Sequence, residues 1–318
     1  MTAVAIQTGD RRGGYTFVRR IGKGAFGEVW RALHAPSGET VAVKVQAASP
    51  GRSAPLTRRI VQLRHPNIVM TRERVETDGL VLTVMELVEG RSLREELAER
   101  GTLPLDEAVE IADQLLQGLS HAHGAGVAHL DLKPENVLVA GRRARLCDFG
   151  SAREVAAAAA EPELTRSLDS EDPSAAHIVG SIGYMAPEQR LGFAHASTRS
   201  DIYSFGVILH EMLTGQLPLG AFRYPSAVHA EIPASVDDVV QRCLQPSPER
   251  RFADAEEARQ ALREAAIAPG GAVAPLQMRG VEEVRSVREF VEYVLGSPAG
   301  WEEGRRQLAD GELESWLR

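Results

Sequence analysis

The side chains in this chain with most chemistry to offer are acids and amides set among lysines. Asp131, Lys133 and Asn136 fall within one short stretch, HLDLKPEN, and Asp148 follows in CDFG. Carboxylate and carboxamide oxygens are hard ligands suited to Mg²⁺, an ion that bridges phosphate groups with few protein contacts. Upstream, Gly22, Gly24 and Gly27 fit G-x-G-x-x-G, and Lys44 closes the run VAVK. A glycine-rich turn lets backbone lie over phosphates, and a strand lysine behind it brings a cation to them. Taken singly these features say less, because glycine turns are common, strand lysines are often merely exposed, and loop carboxylates often cap turns.

The elements that must position these groups are legible from periodicity. YTFVRRIG, GEVWRAL and TVAVKVQ alternate in the manner of strands, separated by the glycine string and by APSGE. The glycine string therefore joins two antiparallel strands and runs into Val29, whereas a dinucleotide fingerprint opens a helix inside a βαβ unit. A flap over phosphates is the better reading. NIVMTRERV and LVLTVMELV predict two more strands about Thr77-Asp78-Gly79. Beyond Gly90 the period changes: Ala108, Ile111, Ala112, Leu115, Leu116, Leu119 and Ala122 recur at helical spacing, and helical signals return at Ser200–Thr214, Val236–Leu244 and Ala253–Ala266. The polar and Ala-rich stretch from Glu154 to His177 predicts a loop.

Bulk properties narrow the function class. The net charge of -8 and pI near 5.7 argue against a surface made to grip nucleic acid or an anionic membrane. Two cysteines, Cys147 and Cys243, lack metal-ligand spacing and fit a reducing, cytoplasmic setting. The N-terminus lacks the pattern of a signal peptide, and no apolar run reaches membrane-spanning length.

Read together, the motifs resemble the eukaryotic-type protein kinase family. The glycine string, VAVK, His129 to Asn136, Asp148-Phe149-Gly150 and Ala186-Pro187-Glu188 stand in that family's order, and the resemblance runs from about Tyr15 to Ala265. DLKPEN and GSIGYMAPE are similar to its Ser/Thr members, and the short loops to bacterial ones. The resemblance implies an α+β, bilobal kinase fold with a small antiparallel β N-lobe and a larger, mainly helical C-lobe. It implies an N-terminal tail at 1–14, an N-lobe at 15–89, a C-lobe at 90–266, a linker at 267–280 and a short helical segment at 281–318. The activity implied is ATP- and Mg²⁺-dependent phosphoryl transfer to Ser/Thr hydroxyls of protein substrates in cytoplasmic signalling, with autophosphorylation.

The family's phosphoryl-transfer template supplies the roles. Asp131 orients the substrate hydroxyl and accepts its proton, Lys133 stands beside the γ-phosphate, and Lys44 reaches the α and β phosphates. Asn136 and Asp148 are the implied metal ligands. Gly22, Gly24 and Gly27 cover the phosphates. Val29, Ala42 and Leu138 wall the adenine site, Met85 guards its back, and Glu86 to Val88 offer hinge backbone. Glu188 is expected to pair with Arg251, and Asp201 to brace the catalytic loop.

Two departures matter. Leu130 stands where many members carry an arginine that reads an activation-loop phosphate. Thr165, Ser167 or Ser170 is thus expected to be phosphorylated without acting as a strict on-switch. The second departure is that no acidic residue lies between Lys44 and His65, and Leu56 falls near the place of the glutamate that pairs with the strand lysine. This keeps open a second class, a pseudokinase-like regulator that binds nucleotide or a partner. Apolar positions at Val281, Val284, Val287, Phe290, Val291 and Val294, with Trp301 and Trp316 beyond, predict either a packed tail or a surface for a regulatory partner or self-association.

Overall fold

A computed structural model of the chain describes residues 6–24, 27–48, 54–149, 153–154, 182–192, 195–267 and 306. The first part is an antiparallel sheet built from β1 (Arg11–Arg12), β2 (Tyr15–Gly24), β3 (Gly27–His34), β4 (Thr40–Ala47), β5 (Thr71–Thr77) and β6 (Leu80–Glu86), in the order β1-β2-β3-β4-β6-β5. Helix α1 (Ala54–Gln62) follows β4. The sheet begins earlier than the strand signal at Tyr15. Arg11 pairs with Thr16, and Ile6 packs in the sheet's core.

The period of two along β4 sorts its side chains between two jobs. Val41, Val43 and Val45 join the core with Phe17 and Trp30, whose rings meet edge to face at 5.9 Å. Ala42 and Lys44 point to the opposite face, and Ala42 packs there in a separate cluster. The glycine string closes the β2–β3 hairpin, with Gly24 opposite Gly27. Gly27 has φ of 139°, and a Cβ there would lie 2.1 Å from the Val45 carbonyl oxygen, so no other residue fits.

Of the predicted strand Asn67–Val75, only the part from Thr71 enters the sheet. The preceding residues are claimed by the helical part of the molecule. Asn67 Nδ2 donates to Gln114 and to the Ala144 carbonyl, and Val69 N–H donates to the Leu146 carbonyl at 2.8 Å. Tertiary hydrogen bonds there override a strand-like sequence.

The second part holds short strands β7 (Arg91–Ser92), β8 (Val127–Ala128), β9 (Val137–Ala140), β10 (Arg143–Leu146) and β11 (Arg153–Glu154) among helices α2 (Leu93–Arg100), α3 (Leu105–Gly124), α4 (Pro187–Arg190), α5 (Thr198–Thr214), α6 (Pro225–Val228), α7 (Ala234–Cys243) and α8 (Ala255–Ile267). Helix α3 buries the stripe predicted for it, Ala108 to Ala122. From Ser200 onward helix α5 is buried on nearly all sides, Asp201, Ser204 and His210 included. Each of those serves another segment: Asp201 the loop after β8, Ser204 the Tyr184 carbonyl, and His210 the carbonyls of Gln216 and Arg223. A Cβ on Gly206 would stand 2.4 Å from that of Cys243, which is how closely α5 and α7 approach. The fold is bilobal and α+β, as the resemblance implied. The calls on 268–280 and on the C-terminal segment fall outside the described residues, Arg306 excepted.

Candidate active site

Alternation along β4 aims Lys44 out of the sheet, and the chain after β10 brings Asp148 to meet it. Lys44 Nζ lies 2.5 Å from Asp148 Oδ2 across 104 residues of sequence. Asp148 adopts φ of 62°, left-handed backbone that a β-carboxylate residue tolerates better than most. Burial pushes its carboxyl pKa up, but the Lys44 ammonium outweighs burial and holds it below the ordinary carboxylate range. The carboxylate is therefore charged throughout the neutral range. Burial and that charge together push the neighbouring Cys147 thiol up to about 12.

Helix α1 carries no acidic residue, and Leu56 is buried in the same apolar cluster as Ile60, Leu132 and Phe149. Among the described residues, Asp148 is the one carboxylate within ion-pair distance of Lys44. This accounts for the missing glutamate in physical terms: the lysine's charge is compensated by Asp148, and the helix position is given to packing.

The stretch from His129 to Asn136 is tied into a knot around Asp131. Lys133 Nζ donates to Asp131 Oδ1 at 3.0 Å, and Asn136 Nδ2 donates to the Asp131 carbonyl at 2.7 Å and to Oδ2 at 3.2 Å. The Asn136 carbonyl accepts from Cys147 N–H at 2.9 Å, which fixes the loop against the strand leading to Asp148. His129 Nδ1 accepts from Asp131 N–H, so its Nε2 carries the proton and donates to the Cys147 carbonyl at 3.0 Å. The ring also packs on Phe149 at 4.7 Å.

Asp201, at the start of α5, holds the backbone of this loop. It is fully buried and accepts from His129 N–H at 2.8 Å, from Leu130 N–H at 2.7 Å and from His123 Nε2 at 2.8 Å. Leu130 has φ of 61°, a strained state for a branched side chain, of order 1–3 kcal/mol. That strain persists because both of its backbone polar groups are held: its carbonyl accepts from Gln189 Nε2 at 3.1 Å. The Leu130 side chain, where an arginine would reach a phosphate, packs with Ala128, Ala196 and Met185. The pair expected between Glu188 and Arg251 is present, bidentate at 2.7 and 2.8 Å. Gly150 and the residues from 155 to 181, with Thr165, Ser167 and Ser170, lie outside the described residues.

The apolar residues expected around a flat ring do come together. Ala42, Met85, Val29, Leu138 and Val88 form one cluster, and the structure adds Val69, Leu87 and Cys147 to it. Val69 lay hidden in a strand-like run, while Cys147 could have been found from its place just before Asp148. Glu86 turns its side chain away from this cluster, accepting from Met70 N–H at 2.8 Å and pairing with Arg145 at 3.1 Å. Gly22 and Gly24 lie on the hairpin above, opposite Val29 and Gly27. Gln189 and His123 escaped the sequence reading, because neither sits in a chemically suggestive string.

A lobed cleft with a lysine, a charged aspartate and a knotted HLDLKPEN loop defines the protein kinase class. Residues 15–265 match the protein kinase domain family, and the chain belongs to it. It is 33% identical over 285 residues to the serine/threonine-protein kinase PknH of Mycobacterium tuberculosis, a match that takes in 83% of this chain and 44% of that protein. It is 36% identical over 217 residues to the serine/threonine-protein kinase pkn2 of Myxococcus xanthus, with 65% of this chain and 25% of that one covered. With the serine/threonine-protein kinase PkaA of Streptomyces coelicolor the identity is 33% over 269 residues, covering 74% and 47%. The likeness is thus to bacterial, eukaryotic-type Ser/Thr kinases, and the chain spans less than half the length of these relatives.

Proposed function

We propose that this protein is an ATP-dependent Ser/Thr protein kinase that phosphorylates protein hydroxyls and itself. The observation that carries the proposal is the convergence of Lys44 and Asp148 beside the Asp131 knot, from segments far apart in sequence. In this reading Asp131 orients the acceptor hydroxyl and takes its proton. Lys133, already on Asp131 Oδ1, neutralises charge where the γ-phosphoryl group passes. Ala42, Val29, Met85 and Leu138 sandwich the adenine, backbone from Glu86 to Val88 meets its edge, and Gly22, Gly24 and Gly27 close over the phosphates.

The donor set fits Mg²⁺. Asp148 is anionic and Asn136 has its amide nitrogen committed to Asp131, which leaves its Oδ1 as the ligand end. Bound there, the metal would supply charge neutralisation between phosphate oxygens. Asp148 then serves two cations, and Lys44 must be shared with nucleotide phosphate. A slow but real kinase follows, rather than a pseudokinase. Free thiols at Cys147 and Cys243 support a cytoplasmic setting, and among the described residues no helix is long and apolar enough to cross a membrane.

The test is phosphoryl transfer from Mg·ATP to a protein substrate by wild type, with Asp131→Asn as control. Transfer by wild type that the control lacks supports the reading. ATP binding by both without transfer by either, in the full chain, would overturn it in favour of a nucleotide-binding regulator.

A further inference from the structure

Helices α7 and α8 pack against each other, and a groove of about 400 Å³ opens between them. Val239 of α7, Phe252 of the connection, and Ala261 and Ala265 of α8 give it an apolar lining, and Asp238 and Glu264 stand in its walls, one from each helix. Neither acid has a cation. Among the described residues Glu264 accepts from Gln260 Nε2 at 2.9 Å, and the neighbouring arginines are committed elsewhere, Arg242 to Glu257 and both Arg259 and Arg263 to Asp113. An apolar lining with two uncompensated carboxylates fits an apolar helix face that carries a cation.

The chain itself supplies such a segment. It leaves α8 at Ile267, just past Ala265, and Ala268-Pro269-Gly270-Gly271 follow, a turn signal that lets the chain reverse along the helix it has left. Residues 268–280 can extend over about 43 Å, roughly twice the ~20 Å length of α8, so the return is within reach. Beyond them Val281, Val284, Arg288, Val291 and Leu295 recur at intervals of three and four, one face of a helix, which Val287 and Val294 widen. Arg288 thus stands inside the apolar stripe, with Arg285 at its edge. A helix of this length is marginal in water by itself, and an arginine in its apolar stripe is costly to bury unless a carboxylate meets it. The groove offers both the cover and the carboxylates.

We propose that residues 281–295 form a helix that docks in the groove between α7 and α8 of the same chain, with Arg288 set between Asp238 and Glu264. Covalent attachment favours this occupant over a second copy, because a short linker holds the segment at an effective concentration in the millimolar range. The inference is independent of the kinase reading above.

The experiment follows amide hydrogen exchange of residues 281–295 in the full chain, with the mass in solution measured alongside. In monomeric wild type these amides should exchange at least about tenfold more slowly than in a free peptide of the same sequence. Arg288→Glu sets a third acid beside two and should remove that protection. Adding Asp238→Arg to Arg288→Glu should restore it, which a helix stable by itself would not require. Ala261→Trp fills the groove and should release the segment while α3 and α5 keep their protection. Should Ala261→Trp not fold, the charge reversal carries the test, since Arg288 lies outside the packed helices. Absence of protection in wild type overturns the proposal, as does protection that neither Arg288→Glu nor Ala261→Trp alters. Protection lost with Arg288→Glu and not restored by Asp238→Arg would place the helix on another surface and overturn this one. Protection that appears only as concentration rises, with the mass of a dimer, overturns docking within one chain in favour of a second copy.

Discussion

Two ion pairs tie distant stretches of this chain together, and they are built in opposite ways. Arg251 spends all five guanidinium N–H groups on Glu188, Gln245, Arg199 and Pro246, its plane lies over Tyr203, and Glu188 also accepts from Ser200. Both side chains are nearly sealed from solvent, at 0% and 10% exposure. Lys44 and Asp148 meet at 2.5 Å, and the Asp148 side chain is 25% exposed. A fully satisfied, sealed pair resists change, while a pair that solvent reaches can exchange partners. The first arrangement suits a joint of the fold, and the second suits the phosphate- and metal-binding role proposed for it.

The sharpest way to test this division is at Asp131, which belongs to the open site. Asp131→Asn should lower transfer by about 10²–10⁴-fold, the range for loss of a positioned base, while Tm and ATP affinity stay near wild type. A large drop in Tm would place Asp131 with the structural joint instead. Arg251→Met should do the reverse. It strands Glu188 in the core, at a cost of about 3–5 kcal/mol in denaturant unfolding, and activity should fall only as far as folded protein is lost.

The same pair predicts a pH effect. Burial pushes the Glu188 carboxyl up, but hydrogen bonds from Arg251 and Ser200 outweigh it and hold its pKa below the usual range. A group with a depressed native pKa contributes stability that is full above its unfolded pKa, near 4.3, and is lost as pH falls through the native value. Below about pH 4.3 wild type should therefore lose unfolding free energy more steeply than Glu188→Gln. Equal slopes would show that the pair contributes no proton linkage.

Lys44→Met should cost less stability than Arg251→Met and be read in rate. A unit charge about 4 Å from a phosphate oxygen contributes at most ~4 kcal/mol at an effective dielectric near 20, or about three factors of ten in single-turnover transfer. Asp148 already shares that lysine, so the observed loss should fall below this ceiling. Equal rates for wild type and Lys44→Met would remove the lysine from the mechanism. The smallest effect belongs to Gln189→Ala, which unpairs the Leu130 carbonyl. About 1–2 kcal/mol of stability should go, with a modest loss of kcat as the loop relaxes from its left-handed turn at Leu130.

Much of this molecule could be read before any coordinates. Val41, Val43 and Val45 alternate with Ala42 and Lys44, so the strand and the side on which the lysine emerges were both legible. The stripe from Ala108 to Ala122 gave α3 its buried face. Harder were the polar residues of α5. Asp201 was expected to brace the catalytic loop through the family resemblance, but Ser204, His210 and Glu211 look like ordinary polar positions of a helix and are all buried. A helix enclosed on every side has no polar face to read, and each of these residues is satisfied by a segment outside the helix.

What the sequence determined by itself was local. Backbone geometry fixes side-chain direction at periods of two and 3.6, so composition and spacing set the elements, the order of motifs and the chemistry on offer. What only the tertiary structure decided was partnership. The absence of an acid on α1 left three mates open for Lys44, namely phosphate, Asp148 or a carboxylate from elsewhere, and Leu130 without a cation left its own surroundings unspecified. That Asp148 compensates the one and that Ala196 and Met185 enclose the other both depend on how separate elements stack. Such choices are made by the summed packing of the whole core, and no stretch of chain carries that sum within itself.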